Sequence, residues 1–481
     1  MHILIATGEA YPYSKTGGLA DMAGALAKYL AKGGYQVTLV TPHYACVRDH
    51  FPGLQPFDWQ LGFPMDQGWE EGEILIDEPE RNLRVLFISH KRYFHRPGLY
   101  GQGGRDYPDN AERFAFFDKA VVNLARYLPD KPDVVHVHDW QTGLVPLLML
   151  HQEWQEGWLN APRTLLTIHN LAYQGLFESS EFRWTNLPWD YFQAEGVEFY
   201  DKLNFLKAAI QFSDRLTTVS PRYAEEILEE PMGCGLRGLL SRRQADLSGI
   251  LNGVDYSEWR TKRNPHLRSS YDWKQLAGKA REKRRLQQEL GLELSPSTPL
   301  FGNVTRLTEM KGCDFVLEAL ELLADREWQF VLLGSGDARF EQAFTKLAAS
   351  HPGRIAARIG FDVGLSHRIA AACDFYVMPS RFEPSGLNQL YSLRYGAVPV
   401  VRATGGLENS IIDAKEDLER ANGIKFQEPS GKALAKAMLK ALALYESQAW
   451  LKRYRLSGMK ADFSWKSTAP KYVEIYESLR R

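Results

Sequence analysis

The sequence predicts an α/β protein of two Rossmann-like, doubly wound halves, and three observations carry that prediction. First, 481 residues are too many for one ordinary hydrophobic core. Second, short apolar runs alternate with stretches of helical periodicity, the grammar of βαβ units and parallel sheets. Third, glycine-containing polar segments follow the apolar runs directly, where open parallel sheets present their ligand-binding ends.

The elements follow in order. Residues 3–6 form an apolar run, Lys15-Thr16-Gly17-Gly18 a loop, and residues 19–31 a helix with Leu19, Met22, Ala23, Leu26 and Leu30 on one stripe. Gly33-Gly34 ends the helix and Val37-Thr38-Leu39-Val40 is the next strand. Residues 134–137 and 165–168 are further short strands. The pattern restarts after residue 298, with strands at 300–304 and 330–333 around a helix at 315–323. Strands at 375–378 and 398–401 follow. The polar stretch around 252–270 marks the boundary between the halves, and 269–290 reads as a helix charged over much of its surface.

Composition narrows the function classes. The chain is 44% hydrophobic, 12% aromatic and 24% charged, as globular proteins are. Its 58 Lys plus Arg and 59 Asp plus Glu nearly cancel, so it lacks the basic surplus of a nucleic-acid partner. An anionic ligand therefore has to be held by a few placed cations. Cys46, Cys234, Cys313 and Cys373 are scattered, which predicts reduced thiols in a cytoplasmic protein. The apolar run at the start is too short for a signal peptide, and no segment approaches roughly 18 apolar residues, so no membrane span is expected.

Four segments can carry chemistry. In Lys15-Thr16-Gly17-Gly18-Leu19, glycines and a helix start admit an anion, though a tight turn with a solvated lysine fits as well. Arg306 and Lys311 sit at a strand end leading into a helix, where they can neutralise a departing diphosphate. A purely structural role there is disfavoured, because a helix N-terminus is already positive. In the run from Arg381 to Asn388, Glu383 suits sugar hydroxyls, and Gly386 and Leu387 offer backbone N–H groups to phosphate. Thr404-Gly405-Gly406-Leu407 reads as ordinary strand-to-helix punctuation. In His138-Asp139-Trp140 and His169-Asn170, His169 can contact a sugar at its reacting carbon and Asp139 and Trp140 can bind a glucan through hydrogen bonds and stacking, although a lone histidine is more often structural. His136 and His138 share a strand face, which leaves a metal pair open, but no third ligand is implied nearby. No two aspartates are separated by a single residue, so the metal-holding Asp-x-Asp of many glycosyltransferases is missing.

These motifs together resemble the bacterial glycogen synthase and plant starch synthase family. Lys15 to Asp21 is similar to its K-T-G-G-L-A-D signature, and Ile168 to Gly175 to its I-H-N-x-x-Y-Q-G. Leu251-Asn252-Gly253-Val254-Asp255, Arg306 to Gly312, Ser380 to Gln389 and Thr404 to Leu407 match in the expected order. The resemblance implies a GT-B arrangement, two Rossmann-like domains facing across a cleft. The acceptor domain would span residues 1–250 with a returning helix in 464–481, and the donor domain 251–463. It implies transfer of glucose from ADP-glucose or UDP-glucose to an α-1,4-glucan such as glycogen or a maltooligosaccharide. Configuration would be retained, with no cofactor and no metal.

Residue by residue, the resemblance implies catalytic roles for His169, Arg306, Lys311 and Glu383. Lys15, Gly17, Gly18, Asp21, Phe361, Ser385, Gly386 and Leu387 would bind the donor, Phe361 by stacking on the base. Glu9, Asp139, Trp140, Tyr173 and Asn252 would line the acceptor side. Ser385 and Asn388 stand where many members have Cys and Thr, and Tyr391 replaces the second carboxylate of the wider E-x7-E pattern. Cys234 has no mechanistic role in this reading. A non-catalytic glucan-binding protein is disfavoured by the intact Arg306, Lys311, His169 and Glu383. A nicotinamide dehydrogenase is disfavoured because no G-x-G-x-x-G turn follows the first strand.

Overall fold

The computed structural model describes residues 1–480 and divides into two compact units. Met1–Gly253 and the C-terminal helix Trp465–Leu479 belong to the first, and Val254–Ser464 forms the second.

The first unit is built on a ten-stranded sheet. Its strands are β1 (His2–Ala6), β2 (Gln36–Pro42), β3 (Gln55–Pro56), β4 (Leu61–Met65), β5 (Gly68–Glu80), β6 (Leu83–Ser89), β7 (Val134–His138), β8 (Arg163–Ile168), β9 (Arg215–Thr218) and β10 (Leu247–Gly249). The order is β10-β9-β8-β7-β1-β2-β6-β5-β3, with β4 on β5. Every pairing from β10 to β6 is parallel, and β5 and its neighbours are antiparallel. Strands β1 and β7 are buried along their whole length, as parallel strands covered on both faces must be. The chain runs outward from β1 to β2 and β6, then returns to β7 on the other side of β1. That reversal makes the ends of β1 and β7 the topological switch point, where doubly wound sheets bind ligands.

Helix α1 (Gly18–Lys32) follows β1, and its expected stripe of Leu19, Met22, Ala23, Leu26 and Leu30 is buried. The C-terminal helix packs on α1 and buries Trp465, Tyr472 and Tyr476, while Ile475 stays half-buried. Gly253 is required beneath it, since a Cβ there would lie 2.8 Å from the Trp465 ring.

The second unit carries a six-stranded, all-parallel sheet of β11 (Leu300–Val304), β12 (Gln329–Gly334), β13 (Ile355–Ile359), β14 (Phe375–Met378), β15 (Val398–Arg402) and β16 (Ile424–Phe426). Its order, β13-β12-β11-β14-β15-β16, puts the switch point between β11 and β14. Alternate residues feed two cores, Phe301, Phe330, Leu332, Phe375 and Val377 on one face and Leu300, Val331, Leu333, Tyr376 and Met378 on the other.

The stretch 269–290 departs from expectation. Helix α2 spans only Ala277–Leu290. Upstream, Asp272 Oδ1 accepts the N–H groups of Lys274 (2.9 Å) and Gln275 (3.0 Å), closing a turn, and Tyr271 is drawn inward to donate to Tyr395 O at 2.9 Å. Nor is α2 a solvated charged rod, because Lys279, Glu282, Lys283 and Gln287 are buried. Lys283 Nζ donates to Thr298 O (2.6 Å) and Asp374 Oδ2 (2.7 Å), and Arg455 holds the other Asp374 oxygen. Burial works against the Asp374 carboxylate, but Lys283 and Arg455 outweigh it and hold its pKa below the usual range. Among the described residues no helix is long and apolar enough to cross a membrane.

Candidate active site

The first switch point gathers Glu9, at the end of β1, with the loop that opens α1. Glu9 is buried. Its Oε2 accepts the N–H groups of Thr16 and Gly17, the latter at 3.2 Å, and its Oε1 accepts Thr16 Oγ1 at 2.8 Å and Tyr100 OH at 3.0 Å. Two of the loop's backbone donors, expected to face an external anion, thus already hold the protein's own carboxylate. Lys15 Nζ lies 2.7 Å from Asp21 Oδ1. Burial raises the Asp21 carboxyl, and Lys15 opposes that shift. Gly17 has extended backbone, and a Cβ there would meet nothing within 4 Å. Packing does not demand this glycine, and the space beside it is open to a ligand. Gly18 is the first residue of α1.

The end of β7 lies on the other side of the same switch. His136 Nδ1 pairs with Tyr476 OH at 2.8 Å and Nε2 with Thr167 Oγ1 at 2.7 Å, so neither nitrogen is free for the metal pair that the strand spacing left open. His138 Nδ1 pairs with His169 Nε2 at 3.0 Å. Asp139 sits in the left-handed region at φ 55° and accepts the His169 N–H at 2.6 Å. Burial pushes its carboxyl up to about 7, with Glu9 adding to the shift. Burial also pushes the His136 and His169 rings down to about 3 and His138 well below its usual value, so all three rings are neutral near pH 7. Asn252 is buried with Oδ1 lacking a partner, and Tyr173 is 56% exposed.

Trp140 corrects an expectation. It was read as a stacking surface for glucan, but it is 9% exposed. Phe114 lies 4.8 Å from it edge-on, Phe177 at 5.8 Å and Tyr100 at 6.1 Å. Gly175 is required because a Cβ would come within 2.7 Å of the indole. Trp140 is a core ring that holds the loop of Asp139 in place.

The second switch point is built by two loops. Beyond β11, Arg306 is exposed and its guanidinium has no partner among the described residues. Lys311 ends a short 3-10 turn, and Gly312 follows at φ 69°, where a Cβ would lie 2.4 Å from Pro379 O. Beyond β14, Glu383 receives Lys311 Nζ on both oxygens, at 2.8 and 2.6 Å, and Ser380 Oγ at 2.8 Å. Lys311 and Glu383, assigned separate partners from sequence, therefore hold each other. Arg381 secures the two loops by bonding Asp314 through both terminal nitrogens and Glu309 O at 2.6 Å. Ser385 is buried with a partnerless hydroxyl. Gly386 is at φ 63°, and Leu387 leads into α3 (Asn388–Arg394). Asn388 Nδ2 donates to Val304 O at 2.7 Å, which fixes that helix to the end of β11. Phe361, on the loop after β13, is 85% exposed, so its ring is open to a ligand.

Sequence reasoning missed four contributors. Gln389 is fully buried and donates to the carbonyls of Ser385 (3.0 Å) and Gly386 (3.1 Å), which shapes the turn that precedes α3. Tyr100, which fixes Glu9, lies in a loop without any motif. Gly405 and Gly406 are more than punctuation, because Cβ atoms there would lie 2.1 Å from Glu383 O and 1.9 Å from Ser385 O. Tyr391 stacks face to face on Trp259, with centroids 3.6 Å apart at 4°, so the position of the second E-x7-E carboxylate is core here.

Two doubly wound units carry polar clusters at their switch points, with cations at the second, the setting in which folds of this class bind anionic ligands. Comparison with known proteins narrows that class. The starch synthase catalytic domain family matches residues 2–242, and the glycosyl transferases group 1 family matches residues 288–455. A glycogen synthase of Anaeromyxobacter dehalogenans is 47% identical over 100% of this chain and 99% of its own. The catalytic domain of starch synthase IV from Arabidopsis thaliana, solved with ADP and acarbose, is 32% identical with a TM-score of 0.91, covering 100% of this chain and 99% of that one. A sucrose-phosphate synthase from Thermosynechococcus elongatus, 18% identical with a TM-score of 0.60 over 99% of this chain and 98% of that one, shares the fold. The chain belongs to the glycogen and starch synthase family, and it is a glycosyltransferase.

Proposed function

We propose that this enzyme transfers glucose from a nucleotide-glucose to the non-reducing end of an α-1,4-glucan, with retention of configuration. The observation that carries this reading is the second switch point, where the loop after β11 carries both an unpaired Arg306 and the Lys311 that pairs with Glu383. Arg306 and Lys311 take the charge of the departing diphosphate. Glu383, fixed by Lys311 and Ser380, accepts hydrogen bonds from glucose hydroxyls. Ser385, Gly386 and Leu387 surround the phosphates, and Phe361 stacks on the base. The second unit is thus the donor side and the first the acceptor side.

On the first unit, His169 holds the donor glucose near its reacting carbon. Lys15, Gly17, Gly18 and Asp21 contribute to donor binding, and Glu9, Asp139, Tyr173 and Asn252 to the acceptor side. The leaving diphosphate takes the proton of the incoming glucan hydroxyl on the same face of an oxocarbenium-like sugar, so no enzyme nucleophile is needed.

ADP-glucose is the favoured donor, because the starch synthase IV structure holds ADP. UDP-glucose is the alternative. The reaction needs no metal and no cofactor, and the protein works in the cytoplasm, where its four free cysteines stay reduced. The test measures product from ADP-glucose and UDP-glucose side by side with glycogen as acceptor, with and without excess chelator. Transfer from neither donor sinks the function, a preference for UDP-glucose reverses the donor, and a rate restored only by Mg²⁺ refutes metal independence.

A further inference from the structure

His138 is buried, titratable and unused by the mechanism above, yet it touches the histidine placed at the sugar. Its Nδ1 lies 3.0 Å from His169 Nε2. Its Nε2 is buried and has no partner. His169 Nδ1 also has no partner among the described residues, but it is not one of the buried unpartnered atoms, so it reaches the surface of its unit.

Two neutral rings joined by one hydrogen bond share a single proton between the facing nitrogens. If His169 donates, His138 carries its own proton on Nε2, an N–H buried without an acceptor. If His138 donates, Nε2 is a bare acceptor, and the costlier orphaned N–H is avoided. We propose that His138 is a positioning residue whose Nδ1–H, donated to His169 Nε2, locks His169 in the Nδ1–H tautomer and makes its outward nitrogen a donor toward the sugar.

The surroundings hold this arrangement. His138 N–H donates to Thr142 Oγ1 at 2.8 Å, and Thr142 Oγ1 donates back to His138 O at 3.0 Å, which fixes the end of β7. The His136 ring lies 4.2 Å from His138, its nitrogens taken by Tyr476 and Thr167. Asp139 accepts the His169 backbone N–H and leaves the ring free. Burial keeps both rings neutral, as the proton arithmetic requires.

The inference rests on the sugar-binding role of His169, but its first test does not use activity. The substrate-free protein, labelled with ¹⁵N-histidine, is recorded by long-range ¹H–¹⁵N correlation near neutral pH, and His169 is assigned by the signals lost in His169→Gln. Nδ1 of the protonated type with Nε2 of the bare type is expected. The opposite pattern, or an imidazolium, overturns the inference even if the folded enzyme is active. Glucose transfer from neither donor by the wild type, with the expected pattern present, sinks the function and leaves the tautomer standing.

The second test uses His138→Leu, which removes the donor, and His138→Asn, whose amide N–H stands where Nδ1–H stood. His138→Leu should lower kcat roughly 10-fold to 100-fold with donor KM nearly unchanged. It should also shift His169 toward the Nε2–H form, and His138→Asn should recover most of the rate. Wild-type kcat in His138→Leu, or equal losses in both variants with the His169 tautomer unmoved, overturns the proposal. Should His138→Leu fail to fold, the wild-type spectrum still decides.

Discussion

The two units share the parallel strand order around a switch point and place their polar residues there, yet they treat charge in opposite ways. At the first switch point Glu9 is buried and bonded, Lys15 is paired with Asp21, and burial raises the Asp139 carboxyl while three histidines stay neutral. At the second, Arg306 is an exposed, unpaired cation and Lys311 is held only by Glu383. A doubly wound sheet fixes where a site lies but not its electrostatics. The second unit presents an unpaired cation, as a diphosphate requires, and the first keeps its charged groups partnered, which suits the hydrogen bonds of a neutral sugar.

The largest test of that contrast is Lys311→Ala. Removing one fixed charge from the leaving group should cost roughly 10²–10³-fold in kcat. The double variant Lys311→Ala/Glu383→Gln should recover any lost thermal stability, because no carboxylate is left unpaired, and should recover no activity. Near-wild-type turnover in Lys311→Ala would place the phosphates elsewhere. Arg306→Ala should follow with a loss on the order of 10²-fold and an unchanged Tm, since the side chain has no partner to lose. A large fall in Tm would show that Arg306 is structural.

The first unit is tested through pH. Asp139 holds its proton to about pH 7 in the fold, whereas the unfolded chain releases it near 4. The fold therefore binds the extra proton in that window, and wild-type stability falls as pH rises from about 4 to about 7. Asp139→Asn cannot ionise, so it should gain roughly 2–4 kcal/mol over wild type at about pH 8 and nothing at about pH 4. Equal denaturant midpoints at both pH values would refute the raised pKa.

The histidines act in the other direction. His136 and His169 stay neutral in the fold down to about 3, so stability is lost as pH falls from about 6.5 toward 3. His367 is the corresponding buried histidine of the second unit, lowered to about 4. Hydrogen exchange at about pH 5 should show β7 and β8 opening before β11 and β14. Simultaneous opening would erase the contrast. The smallest effect belongs to Phe361→Ala, with donor KM raised a few-fold and Tm unchanged, because the ring is 85% exposed. A fall in kcat at saturating donor would assign it another role.

The strands that were legible, among them Ile3-Leu4-Ile5-Ala6 and Phe375-Tyr376-Val377-Met378, are parallel strands buried on both faces, which leave continuous apolar runs, whereas the half-exposed antiparallel strand Gly68–Glu80 and the short edge strands leave no such run. The helix at 269–290 was misread at its start because an Asx turn and a buried Tyr271 override helical periodicity. Its charged face was misread because Lys283 finds its partners on Thr298 and Asp374, far along the chain. The positions of Arg306, Lys311 and Glu383 followed from strand ends, but that Lys311 grips Glu383 did not, since 72 residues separate them. Trp140 was misjudged for the same reason, because its exposure is set by Phe114 and Phe177 from other segments.

The C-terminal helix has a consequence for how the protein is made. Trp465, Tyr472 and Tyr476 are core residues of a unit whose other residues end at Gly253. The first half of the nascent chain leaves the ribosome long before these rings exist, and so cannot finish its own core. The seat of Trp465 above Gly253 stays unfilled until the whole second unit has been synthesised, so the core of the first unit closes last.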